Sequence, residues 1–274
     1  MIKRILLATD GSKPALAAEK LASWLAYEAE ASLEVLYVRD IRLIRMPELM
    51  DWGAISIPMP VYHEEIEKVL TARAEAVLER VRRETESAGV KVEPVIRTGV
   101  PYQVIDEEAR TADLVVIGRA GEASGHEATG LGSTTERVVR TSPTPVVVAA
   151  LEPNRPQRIL LAYDGSDPAT RAMHIAAELA ADFNLPTTVL TVHDDALKAE
   201  ELAAEAASYL EDHGVTVEVE TAGGEPDERI LEAQSPNDLL AMGAFGKGLI
   251  RNLLLGSTAE VVLRRAVGPV LVVR

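Results

Sequence analysis

The ten residues KRILLATDGS at positions 3–12 return as QRILLAYDGS at positions 157–166, a separation of 154 residues. The same separation relates LYVRD (36–40) to LTVHD (190–194), and ADLVVIG (112–118) is echoed by NDLLAMG (237–243). Self-similarity of this kind means one fold written twice, and 274 residues give each copy the length of an ordinary domain. The segment LEPNRP (151–156), with two prolines, falls between the copies, so domains are expected at 1–150 and 156–274. A linker this short keeps the copies packed together. Their apolar terminal runs, TPVVVAA (144–150) and GPVLVVR (268–274), are the natural edges to pair across a pseudo-twofold axis, giving an intramolecular pseudo-dimer.

Within the first copy, short runs of Val, Ile and Leu alternate with longer stretches of helical period. Strands are expected at 2–8, 32–38, 90–97, 113–118 and 146–149, with helices near 12–30 and 63–87. Ser12 reads as the cap of the first helix and Pro14 as its first-turn proline. The segment 41–61, with three prolines, reads as a long loop; the second copy instead passes from Asp194 almost directly into a helix over 196–213. Strand and helix in alternation imply the α/β class, here two tandem doubly wound parallel-sheet domains. Only two Phe and two Trp are present, so aliphatic side chains must build the cores.

Charge and composition exclude several functions. A net charge of −15 repels phosphate backbones and anionic bilayers, so no nucleic acid and no membrane partner is expected. With no cysteine, disulfides, thiolate metal sites and cysteine nucleophiles are impossible. The apolar run in MIKRILLATDGS breaks at Asp10-Gly11, too early for a secretory signal, and no stretch is long enough to span a bilayer; a cytoplasmic protein is expected. The five histidines show no metal-binding spacing.

The densest chemical signal is GAFGKGLIRNLLLGST (243–258), which follows the strand LLAMG. Glycines after a parallel strand let backbone approach a ligand. Gly256, Ser257 and Thr258 then open a helix whose free N–H groups attract an anion. Lys247 and Arg251 add positive charge, and no acid occurs from Gly243 to Ala259. The same glycines would also serve a tight strand-to-helix turn, and Asp164 a simple Asp-Gly-Ser turn. The segment lacks the G-x4-G-K-[ST] of a P-loop. No G-x-G-x-x-G follows the first strand, and there is no G-x-S-x-G elbow.

The spacing G-x2-G-x9-G-[ST], carried by Gly243, Gly246, Gly256 and Ser257, resembles the phosphate loop of ATP-binding universal stress proteins, and the resemblance covers both copies. It implies an adenine nucleotide alpha hydrolase-like fold. It also implies that Asp164 and Val192 hold adenosine, while Gly243, Gly246, Gly256, Ser257 and Thr258 hold the phosphates of ATP, with Mg²⁺ arriving on the nucleotide. In the first copy Asp10, Val38, Gly118, Gly121, Gly132 and Ser133 take the matching positions. There the loop is one residue longer, and Glu122 stands where the second copy has Lys247. Glu127 adds another acid, leaving Arg119 as the nearby cation, so weaker phosphate binding is expected; His126 reads as loop surface.

The resemblance favours a nucleotide-dependent regulator of a stress response that hydrolyses ATP slowly or not at all. An interaction protein with empty sites and a genuine ATPase are the alternatives. Loss of phosphate-loop residues would mark the first, and an acidic metal ligand with a base beside the γ-phosphate the second. A homodimer is expected, and an unknown protein partner would find a surface in the loop bearing Met46, Met50, Trp52, Ile55, Ile57 and Met59.

Overall fold

The computed structural model describes residues 2–45, 59–121, 130–246 and 255–274. In the first half the order is β1 (Arg4–Ala8), α1 (Ala15–Glu28), β2 (Ser32–Asp40), α2 (Ile41–Arg45), α3 (Met59–Glu86), β3 (Val92–Gly99), α4 (Pro101–Ala109), β4 (Leu114–Ile117), α5 (Ser133–Thr141) and β5 (Val146–Val148). The second half repeats it as β6 (Arg158–Ala162), α6 (Asp167–Phe183), β7 (Thr187–Val192), α7 (Ala196–Asp212), β8 (Val217–Ala222), α8 (Pro226–Ala233), β9 (Asp238–Gly243), α9 (Ser257–Arg265) and β10 (Val270–Val273).

All ten strands form one sheet in the order β3-β2-β1-β4-β5-β10-β9-β6-β7-β8. Every neighbouring pair is parallel except β5 with β10, where Val270 faces Val148, Leu271 faces Val147 and Val272 faces Val146. The two terminal runs thus pair as the sequence implies, and the pseudo-twofold axis passes through this seam. β1, β4, β9 and β10 are almost wholly buried, as a parallel sheet covered on both faces requires.

Alternation along the strands divides the core in two. Ile5, Leu7, Val147, Ile159 and Leu271 face α1, α3, α6 and α7, whereas Leu6, Val148, Leu160, Leu240 and Val270 face α4, α5, α8 and α9. Each layer runs without a break through both halves. Trp24 of α1 and Phe183 of α6 meet across the halves with ring centroids 5.2 Å apart, and Arg155 of the linker lies over the Trp24 ring at 5.2 Å.

Several boundaries differ from the sequence reading. Ile41–Arg45 forms the short helix α2 where a loop is expected, and Met59 is the first residue of α3. The rest of that segment, with Met46, Met50, Trp52, Ile55 and Ile57, lies outside the described residues, as do Glu122, His126, Glu127, Lys247 and Arg251. Ser12 does not cap α1, which enters through a tighter turn in which the Ala15 amide reaches the Ser12 carbonyl at 3.0 Å. Its counterpart Ser166 does cap α6, accepting from the Ala169 amide at 3.3 Å. The residues that follow also differ: Asp167 suits the positive end of a helix, and Lys13 does not. Among the described residues, no helix is long and apolar enough to cross a membrane.

Because both core layers cross the seam, the two halves should unfold together. Leu271→Ala, which empties a fully buried site at the centre of the seam, should cost about 2–5 kcal/mol and leave a single transition. Urea denaturation followed by circular dichroism checks it; two separated transitions would show that the halves melt independently.

Candidate functional site

The strand order creates a crevice in each half. From the central strand β6 the chain proceeds to β7 on one side of the sheet, whereas β9 lies on the other, so the connections leaving the carboxyl ends of β6 and β9 diverge to opposite faces. The result is a cleft of about 260 Å³ lined by all seven second-half candidates, Asp164, Val192, Gly243, Gly246, Gly256, Ser257 and Thr258. Leu190, Met242, Pro226, Ile230, Phe245 and Tyr163 are the larger of the other side chains in its wall. Tyr163, Leu190, Met242 and Phe245 stand within the repeated segments and the glycine-rich run, whereas Pro226 and Ile230 belong to no motif. Pro226 and Ile230 reach the cleft only because α8 folds back over the sheet, which local sequence does not reveal.

Asp164 sits in a tight turn: its Oδ1 accepts the Ser166 amide at 2.9 Å, while Gly165 adopts a left-handed φ of 70°. This local bond takes one carboxylate oxygen; a Cβ on Gly246 would stand 3.3 Å from the other. The turn and ligand readings of Asp164 are therefore compatible, since one oxygen shapes the loop and the other points at the glycine-rich connection. Tyr163, just before it, donates to Glu205 of α7 at 2.6 Å. Burial, reinforced by that bond to Glu205, raises the phenol above its ordinary pKa.

The glycines have different jobs. A Cβ on Gly243 would meet the Ala169 amide nitrogen at 2.8 Å and Pro168 Cβ at 2.9 Å, so this glycine lets α6 dock against the strand end. Gly256 has an ordinary extended backbone, with φ −60°, but its amide donates to the Ala244 carbonyl at 3.0 Å and a Cβ would come 3.3 Å from that oxygen. Gly256 also precedes α9 with no side chain to cap it, leaving the amides of Ser257 and Thr258 uncapped at the cleft. One end of the cleft is therefore apolar, from Leu190, Val192, Ile230 and Met242, and the other is an anion-attracting helix terminus.

The first half repeats the frame with other side chains. Asp10 Oδ1 accepts the Ser12 amide at 2.9 Å, and a Cβ on Gly121 would lie 2.7 Å from Asp10 Oδ2. Gly118 packs under α1, where a Cβ would be 3.2 Å from the Pro14 carbonyl oxygen. Gly132 donates to the Arg119 carbonyl at 2.8 Å and precedes Ser133, the first residue of α5. Val38 packs against the layer beneath α4 and α5. Arg119 occupies the position of Ala244, and burial lowers its guanidinium below the ordinary pKa.

A sequence profile described as the universal stress protein family matches residues 1–150, 156–208 and 194–274. A universal stress protein of Synechocystis sp. is 31% identical over 288 residues, with all of both chains covered. One of Methanocaldococcus jannaschii is 33% identical over 151 residues, covering 54% of this chain and 82% of its own. Among solved structures, a universal stress protein from Archaeoglobus fulgidus matches with a TM-score of 0.77 at 24% identity, covering 99% of this chain and 98% of that one. The last likeness concerns the fold.

The steric roles separate by experiment. Gly243→Ala drives a methyl group into the backbone of α6 and should cost about 1–3 kcal/mol, lowering Tm. Gly246→Ala meets only the Asp164 carboxylate at 3.3 Å and should cost well under that. Calorimetry on both variants reads the difference; equal melting temperatures would mean that Gly243 does not serve helix docking.

Proposed function

The chain belongs to the universal stress protein family, and on that premise we propose that it is an ATP-binding regulator built from two domains, 1–150 and 156–274, with the principal nucleotide site in the second. The observation that carries this reading is the two-ended cleft between β6 and β9. Its apolar end, with Leu190, Val192, Ile230 and Met242, suits a purine and ribose. At the other end, the uncapped amides and hydroxyls of Ser257 and Thr258, reached past Gly246 and Gly256, suit a polyphosphate. Asp164 Oδ2 would accept from a ribose hydroxyl or an adenine amine. Lys247 and Arg251, which the sequence places in the same connection, add charge of the required sign. Mg²⁺ would travel with the phosphates, which supply most of its oxygen ligands.

No residue is assigned a catalytic step. Among the described residues that line the cleft Asp164 is the one acid, and its Oδ1 serves the Asp-Gly-Ser turn, so slow hydrolysis or none is the reading that fits. Binding regulates only by differing in affinity between two conformations, and the cleft draws on α6, α8 and α9, whose relative placement the nucleotide would bias. Further assembly into a homodimer would use the helical layers. The free edges of the sheet, β3 and β8, carry Glu93 and Pro94, and Glu218 and Glu220, which oppose strand-to-strand pairing.

Isothermal titration of ATP with Mg²⁺, with released phosphate assayed on the same samples, tests the reading. Binding should be lost in Gly256→Val, where the side chain enters space next to the Ala244 carbonyl, and persist in Gly132→Val. No heat from folded wild type would favour the interaction-protein alternative, and rapid phosphate release would favour an ATPase.

A further inference from the structure

The pseudo-twofold axis passes between Val147 and Leu271, which face each other in the seam. At one end of that seam the segment 142–145, which leads from α5 into β5, lies against α6 and the end of β10 and encloses a cavity of about 290 Å³. Arg171, His174 and Arg274 give it a basic side, and Pro143, Pro145, Ile175 and Val273 give it an apolar one. The basic side belongs to one half of the molecule only. Matched through the repeats, the positions of Arg171, His174 and Arg274 are held in the first copy by Ala17, Lys20 and Ala150.

In a chain of net charge −15, two guanidiniums and an imidazole at one cavity reverse the local sign. Arg274 Nε is buried and finds no hydrogen-bond partner among the described residues; Nη1 donates to the Ser142 carbonyl at 3.5 Å, and the guanidinium lies 5.9 Å from the Phe245 ring centroid. Arg171 donates from Nε to the backbone oxygen of Arg274, which keeps the two side chains at the same cavity. The His174 ring packs on Tyr209 of α7, with centroids 4.8 Å apart. One acid, Asp106 of α4, feels the charge of Arg274 but does not line the cavity; its Oδ2 accepts from Thr141, and its Oδ1 has no partner among the described residues.

A buried donor without a partner calls for an acceptor, and the planar fork of an arginine matches a carboxylate. Prolines and aliphatic side chains around the same space call for an apolar body. We infer that the end of the seam carries a binding site for a small organic carboxylate, its charged group between Arg171, His174 and Arg274 and its apolar part against Pro143, Pro145 and Ile175. The cavity is at the small end of the range for ligand sites, which limits the occupant to a compact molecule. A bare inorganic anion would leave the apolar wall uncovered. None of the described residues lining this cavity lines the second-half cleft, so the assignment does not depend on the nucleotide reading.

Benzoate, butyrate and succinate, titrated separately into the full-length chain by calorimetry with Tm recorded alongside, test the inference; benzamide and inorganic phosphate are the controls. At least one of the three carboxylates should bind wild type and raise Tm, and neutral benzamide should do neither. Arg274→Ala and Arg171→Ala should each bind that carboxylate at least about tenfold more weakly. Both variants should keep the fold by circular dichroism, because the first copy carries alanine at the matching positions, Ala150 and Ala17. If Arg274→Ala nevertheless fails to fold, Arg171→Ala carries the test. Arg274→Lys should also lose most of the binding, since an ammonium keeps the charge without the fork. ATP titrated into Arg171→Ala keeps the two sites distinguishable, because its binding should match wild type. Failure of all three carboxylates to bind folded wild type overturns the inference, as does binding that survives either folded alanine variant. Carboxylate binding lost in Gly256→Val but kept in Arg274→Ala would place the probe in the second-half cleft and overturn it too. Phosphate that binds as tightly as the carboxylate, and is weakened by the same two variants, would overturn the assignment to an organic carboxylate.

Discussion

The antiparallel pairing of β5 with β10 is the constraint on which the rest of the molecule depends. Each copy alone would end in an apolar strand with one unpaired edge, the arrangement that invites association. Joining the two edges turns a pair of five-stranded sheets into one of ten and makes each core layer continuous beneath helices from both copies. The helix surfaces follow: Trp24 against Phe183, and Arg155 over Trp24, are contacts that exist only because the seam brings α1 beside α6. The crevices lie away from the seam, at the ends of the central strands, where the rigid sheet fixes their walls.

Positioning within the crevices is mostly a matter of what a side chain would displace. Gly243 and Gly118 sit where α6 and α1 come down onto the sheet, so a motif glycine that resembles a ligand contact has a packing task too. Gly246 and Gly121 instead face the carboxylates of Asp164 and Asp10, which ties the two connections of each crevice together. With this frame common to both halves, Ala244 and Arg119 differ in the room they occupy as well as in charge.

Much of this was legible in the sequence because the repeat supplied two readings of one fold. The strands, the linker and the paired terminal runs follow from periodicity and the matched segments, whereas the grouping of Asp164, Val192 and the glycine-rich connection is what the family resemblance implies. The helix start at Ser12 did not, because the Ser-x-Pro spacing that Ser12 and Ser166 share makes a side-chain cap at only one of them. Pro226 and Ile230 are invisible as wall residues in the sequence, since their place in the cleft is set by the crossover that carries α8 back over the sheet. The sequence marks Arg119 only as a nearby cation; its burial, and the unmet donors of its own guanidinium among the described residues, are properties of packing.

The six-residue linker 151–156 has a consequence beyond holding the halves together. Two separate chains meeting through the same edge would do so by a bimolecular equilibrium sensitive to dilution, whereas tethered partners meet at a fixed effective concentration. Two separate chains of one sequence would also be identical, so any change in one crevice would appear in the other. Fusion removes both conditions. The copies are always matched one to one, and each is free to accumulate substitutions that its partner could not share. An arginine at one strand end and an alanine at its counterpart, Arg119 and Ala244, is the kind of asymmetry that a heritable pairing of unlike halves can keep.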